Sequence, residues 1–291
     1  MKNFLKTRQR SLVGLMALVG LALLVALGLP GWSQAKPNAK IRIKGSDTML
    51  HLLEQWAQAF MATHSGIVVE VDGGGTGKGV RALIDGQVDL ASASRPLKPK
   101  EAHRLFEKQG TLGYAVLTAR DAITVYLHAD NPVRNLTLAQ LRGIFTGEIK
   151  SWNDVGGRDQ AIAVKTRNSV SGTYVFFSEH VLEGDSFSRK ARILPTTQAI
   201  VRAVDMDANA IGFAGALPSA AQGKHKARPC RIEDVEPTAE NVRNGTYPIA
   251  RYLYLYTSIP PEGDVRQLVD WILGPEGQSL AAEIGYIPLR E

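Results

Sequence analysis

Beyond residue 40 the chain alternates between two periods. Ile41-Arg42-Ile43-Lys44 changes from apolar to polar at each step, as a half-buried strand does. Residues 48–64 carry Leu52, Leu53, Trp56, Ala59 and Phe60 at three- and four-residue spacing, which predicts a helix. Strands are expected again over 67–71 and 88–93. Helices are expected over 77–84 and 99–109, the latter opened by Pro99, whose fixed φ suits a first turn. Strands joined by helices of this length need crossover connections, so the pattern predicts an α/β fold with doubly wound, parallel sheets.

Residues 114–129 read as one extended stretch, with Ala115, Val116, Leu117, Ile123, Val125 and Leu127 along it. That is too long for one ordinary strand and suits a chain leaving one lobe for another. The alternation then restarts, with helices over 138–145, 174–182 and 197–207 and strands over 162–165 and 211–214. An aromatic strand over 252–256 precedes two closing helices, 264–273 and 276–284. The organisation expected is a first lobe of residues 36–118 plus 252–291 and a second of 119–251.

The first 35 residues have another character. Lys2, Lys6, Arg8 and Arg10 precede an uncharged apolar run over 12–30, and Ser33-Gln34-Ala35 puts small residues where a signal peptidase wants them. This is the layout of a secretory leader cleaved after Ala35. The alternative is a retained anchor, since the run approaches the roughly 20 residues a bilayer needs. Four positive charges ahead of it leave the body outside in either case. The leader also inflates the charge. The 34 basic and 28 acidic residues give +6, and without the leader's four cations 30 against 28 leaves +2. No nucleic-acid-binding stripe is visible.

The lone cysteine, Cys230, can form no internal disulfide and lies far from the leader. The six histidines are scattered at 51, 64, 103, 128, 180 and 225. Neither a metal site nor a cofactor is expected.

Four segments could hold an anion. Gly45-Ser46-Asp47-Thr48-Met49 places small hydroxyl residues just before a helix, where free N–H groups and the positive helix end attract negative charge. A plain N-cap would look the same. Gly73-Gly74-Gly75-Thr76-Gly77-Lys78-Gly79 allows close backbone approach, or simply a tight turn. It is not a Walker A loop: Asp72 stands where the first glycine belongs and Gly79 where the hydroxyl does. Arg167 followed by Ser171-Gly172-Thr173 offers a planar fork beside a helix start. Ala93-Ser94-Arg95-Pro96 ends a strand, where ligands bind in open α/β sheets. No Gly-x-Ser-x-Gly elbow surrounds Ser171 and no histidine lies near it in sequence, so nucleophilic catalysis is not expected.

In these pieces the chain resembles the periplasmic phosphate-binding protein family, the receptors of the phosphate ABC transporter. The matching runs are Gly-Ser-Asp-Thr-Met at 45–49, Gly-Gly-Gly-Thr-Gly-Lys-Gly-Val at 73–80 and Asp-Leu-Ala-Ser-Ala-Ser-Arg at 89–95. Arg-x-x-x-Ser-Gly-Thr at 167–173 and Ile-Gly-Phe-Ala-Gly at 211–215 complete the set. The resemblance implies the two-lobe fold of class II periplasmic binding proteins, with inorganic phosphate held in the cleft and handed to an inner-membrane ABC permease. It implies a binding protein without enzymatic activity; a monomer is expected. Carried over by position, the ligands are Thr48, Met49 through its N–H, Thr76, Ser94, Arg95, Arg167, Ser171, Gly172 and Thr173. Many members carry an aspartate at the place of Arg95, which accepts the proton of hydrogen phosphate and so rejects sulfate. Arg95 can only donate. Asp47 is the nearest candidate acceptor by sequence. Sulfate, molybdate or tungstate is the alternative ligand, and a phosphate sensor on the same fold the alternative role.

Overall fold

The computed structural model describes residues 39–215 and 226–289. The leader expected over 1–35 lies outside them. In chain order, β1 (Ala39–Gly45), α1 (Leu50–Thr63), β2 (Ile67–Asp72), α2 (Thr76–Ile84), β3 (Leu90–Ala93), α3 (Pro99–Gln109) and β4 (Tyr114–Ala122) come first. Then follow β5 (Thr124–His128), β6 (Asn135–Leu136), α4 (Leu138–Thr146), β7 (Ala163–Thr166), α5 (Gly172–His180), β8 (Arg192–Ile193), α6 (Thr197–Asp205) and β9 (Ala210–Ala214). The chain closes with β10 (Ala227–Pro229), β11 (Arg231–Ile232), α7 (Ala239–Arg243), β12 (Ala250–Thr257), α8 (Gly263–Leu273) and α9 (Pro275–Ile284).

Two five-stranded sheets result, ordered β2-β1-β3-β12-β4 and β10-β5-β9-β7-β8. β1 runs parallel to β2 and β3, and β7 parallel to β8 and β9, as the helical crossovers require. The sheets are nevertheless mixed. β12 runs antiparallel to β3 and β4, and β5 antiparallel to β9 and β10. The long extended stretch is two strands, β4 in the first sheet and β5 in the second, broken at Ile123. The Ile123 N–H donates to Ile249 O at 2.8 Å, so the outgoing and returning connections lie side by side. The whole of β4 and β12 belongs to the first sheet, which puts the two connections at 123 and 249 rather than at the expected 118/119 and 251/252.

Each sheet has its own core. Around the first, Leu52, Leu53, Trp56 and Phe60 of α1 pack with Leu268 and Ile272 of α8, and the Trp56 indole N–H donates to Gly277 O at 2.7 Å. Around the second, Phe145, Phe177 and Phe213 cluster, the last two stacked at 4.0 Å. Cys230 is fully buried in this second core, and burial pushes its thiol up to about 12, far above the range of reactive cysteines. Among the described residues no helix is long and apolar enough to cross a membrane, and no cluster of metal-ligating side chains forms.

Candidate functional site

All four segments leave the C-terminal ends of strands: 46–49 after β1, 73–75 after β2, 94–95 after β3 and 167–171 after β7. Three come from the first lobe and one from the second, and they meet. Thr48 Oγ1 lies 2.9 Å from Thr173 Oγ1, and the Gly77 N–H donates to Val170 O at 3.0 Å. Gly75 sits at φ 103°, and a Cβ there would come within 2.9 Å of Val170 O. Both the left-handed backbone and the closeness of the opposite lobe call for glycine.

The hydroxyls of Thr76 and Ser94 lie 3.3 Å apart, and Ser94 N donates to Thr76 Oγ1 at 3.1 Å. Gly172, the first residue of α5, faces both: a Cβ on it would stand 2.4 Å from each hydroxyl oxygen. The start of α5, with first-turn N–H groups that have no intrahelical acceptor, therefore abuts the hydroxyls of the opposite lobe. Ser171 is its N-cap, its Oγ accepting from Tyr174 N at 3.3 Å.

Arg167 brings a cation to this cluster from the second lobe. Its Nη2 donates to Asp47 Oδ2 at 2.5 Å and its Nη1 to Thr197 Oγ1 at 3.3 Å. Burial lowers its pKa. Asp47 opposes that shift by charge and hydrogen bonding, and Arg251 adds to it. A guanidinium stays charged in such surroundings. Asp47 Oδ1 accepts the Gly74 N–H at 2.7 Å. Asp47 thus ties the glycine loop of one lobe to the arginine of the other, a use not visible when it is read only as a proton acceptor.

Two expected ligands are differently engaged. The Met49 N–H donates to Ser46 O at 3.0 Å in the turn that precedes α1, and its side chain is buried in the core. Arg95 is gripped by Glu101, through two hydrogen bonds of 2.7 Å, and donates to Pro96 O at 2.8 Å. Glu101 also accepts the Lys98 N–H that opens α3, so Arg95 is anchored to that helix start.

Sequence reading missed Arg251 and Asp121. They face each other in the register of β12 and β4 and form a buried ion pair at 2.7 Å, from which Arg251 reaches Thr173 and Thr48. The available signal was a cation immediately before the aromatic run Tyr252–Tyr256 and an anion inside the extended stretch, both sites where a charge needs a partner. Tyr286, also missed, donates its hydroxyl to Thr48 O; burial raises the phenol's pKa, so it remains a donor.

Four buried polar atoms around these segments have no hydrogen-bond partner among the described residues: Ser46 Oγ, Arg95 Nε, Arg167 Nε and Arg251 Nη1. An unpaired buried donor costs about 1–3 kcal/mol. Unpaired guanidinium N–H groups suit an oxyanion better than a neutral ligand.

The chain matches the model of the PBP superfamily domain over residues 32–276. It is 30% identical to the phosphate-binding protein PstS of Pseudomonas aeruginosa, over 98% of this chain and 95% of that one. With the PstS of Staphylococcus epidermidis it shares 32% identity over 84% of this chain and 77% of that one. Among solved structures it is similar to one assigned as a phosphate ABC transporter substrate-binding protein from Clostridium perfringens, with phosphate bound. The TM-score is 0.78 at 28% identity, covering 86% of this chain and all of that one. An ABC-type phosphate transport receptor from Vibrio cholerae follows at TM-score 0.70 and 27% identity, covering 85% and 99%. The two-lobe architecture, the order of the four loop segments and relatives matched along most of their length lead to one assignment: the chain belongs to the PBP superfamily and, within it, to the family of the phosphate-binding proteins PstS.

Proposed function

We propose that this protein binds inorganic phosphate between its two lobes, as an exported monomer in the periplasm, and delivers it to an ABC permease without chemical change. The observation that carries the reading is the meeting of Arg167 and the start of α5 with the hydroxyls of Thr48, Thr76 and Ser94 from the other lobe. In this reading Arg167 supplies the charge, the Thr48–Thr173 pair, Thr76 and Ser94 supply hydroxyl donors, and the first turn of α5 from Ser171 through Gly172 donates backbone N–H groups. Arg95 and Met49 act at one remove, by shaping the β3 and β1 loops.

Calorimetry of the leaderless protein tests it. Phosphate is expected to bind at one site per chain. Sulfate is the informative comparator, because Arg95 stands where relatives of the resembled family place an acceptor and Asp47 is matched to Arg167. Heat on adding sulfate, molybdate or tungstate but none on adding phosphate would overturn the assignment in favour of another oxyanion.

The leader belongs to the same proposal. Mass spectrometry of the exported protein is expected to find a chain beginning at Lys36. An intact N-terminus in the membrane fraction would instead show an anchored receptor.

A further inference from the structure

Thr48, in the turn before α1, and Thr173, in the first turn of α5, face each other across the cleft, and they share a neighbour that comes from neither element. Arg251 comes from β12, opposite Asp121 of β4, close to the points where the chain passes between the lobes. Its Nε and Nη2 donate to Asp121 Oδ2 at 3.0 and 2.7 Å. Nη2 also donates to Thr173 Oγ1 at 2.9 Å and, more weakly, to Thr48 Oγ1 at 3.4 Å. The side chains of Arg251 and Asp121 are 2% and 0% exposed. A buried ion pair adds little stability over apolar side chains of similar volume. Its place in an aromatic strand therefore points to a use other than holding the fold.

Hydrogen-bond accounting indicates that use. Each hydroxyl has one hydrogen and two lone pairs. Arg251 donates into both threonines, and the two oxygens bond each other at 2.9 Å. That contact uses one of the two hydroxyl hydrogens. The other is left to donate away from the guanidinium. The arginine thereby fixes the pair's polarity, so that it offers a donor. It also stands near enough to Arg167 to help lower that residue's pKa, after burial itself. Two guanidinium groups, one entering from each lobe, therefore sense the same region of the cleft.

We propose that Arg251 is a positioning residue of the anion site, orienting the Thr48–Thr173 hydroxyl pair so that it presents a donor toward an oxyanion, and adding a second positive group beside it. This rests on the phosphate reading above. Neither the family motifs nor the segments that precede helices include this residue.

The test is phosphate titration of wild type, R251K, R251M/D121L, T173V and R251K/T173V. Lysine keeps the charge but loses the fork. The R251M/D121L pair removes both charges together, so that the Asp121 carboxylate is not left without Arg251, and its melting temperature without phosphate is measured beside that of wild type; R251K carries the test should the pair variant melt early. Both Arg251 variants are expected to raise the phosphate Kd roughly 10–100-fold, the usual weight of a charge-assisted hydrogen bond. If Arg251 acts through the threonines, R251K/T173V should bind about as weakly as the weaker of its two single variants, because contacting residues are not additive. Wild-type affinity in both Arg251 variants, or losses that simply multiply in R251K/T173V, would overturn the proposal and leave the phosphate reading intact. A wild-type protein that takes up no phosphate would bring both down.

Discussion

Replacing Arg167 by alanine is expected to weaken phosphate binding by about 3–5 kcal/mol, a rise in Kd of roughly 100- to 5,000-fold. The loss has two parts. One is the charge-assisted contact itself, made by a side chain only 3% exposed in a cleft with little water to replace it. The other is what the substitution leaves behind. Asp47 Oδ2 loses its 2.5 Å partner, and a buried carboxylate without its cation then faces the incoming anion. The second part can be separated from the first. In R167A/D47N the stranded charge is gone, and phosphate is expected to bind better than in R167A though still worse than in wild type. Titrations of the two variants side by side decide the matter. A wild-type Kd in R167A would remove Arg167 from the site. Equal affinities in R167A and R167A/D47N would mean that the anion does not sense Asp47. The same geometry revises the expectation that Asp47 receives the proton of hydrogen phosphate. Its oxygens already serve Arg167 and the Gly74 N–H, so its first role is to hold the clamp and the glycine loop together.

Most of the scaffold that carries this cluster was legible in the sequence, because its signals are local. The three- and four-residue spacing in α1 and the Pro99 start of α3 each depend on a few neighbouring residues. So do the glycine run and the Ser-Gly-Thr step into α5. The short pieces were not legible. β6, β8 and β11 have two residues each and exist only because a partner strand is present. The antiparallel placement of β12 was also hidden: its alternation of tyrosine and leucine fixes a strand but not its direction. In the site, hydroxyls and glycines next to helix starts could be found by position. The partners of the charged groups could not. Arg95 meets Glu101 six residues on, but Arg167 pairs with a residue 120 positions away and Arg251 with one 130 away. Separations of that order carry no periodic trace in a single sequence. This is why the Arg167–Asp47 pair and the place of Arg251 are not legible, whereas Arg95 and Glu101 are close in sequence but joined only once the chain turns between β3 and α3.

The second large effect is expected from a single methyl group. Gly172 opens α5 with Ser171 as its cap, and alanine at that position suits a helix better than glycine does. Taken locally, Gly172→Ala should be harmless. Across the cleft it should not be. The added carbon would lie 2.4 Å from both Ser94 Oγ and Thr76 Oγ1 and 3.1 Å from Thr76 Cβ. Those two side chains are 1% and 0% exposed and bonded to one another, so they have little room to turn aside. Overpacking of this kind costs about 1–3 kcal/mol, and the lobes can escape it by staying apart. Phosphate held by groups from both lobes would then lose part of its shell, with Kd rising roughly 5- to 150-fold. The melting temperature of the ligand-free protein should hold or rise slightly, because the helix itself gains. Small-angle scattering with saturating phosphate should show a wider molecule than wild type under the same conditions. A variant that melts early would point to damage in the second lobe rather than to blocked closure. One that binds phosphate as tightly as wild type would show that the lobes need not approach this closely around the anion, and the hydroxyls of Thr76 and Ser94 would then lose their place in the site.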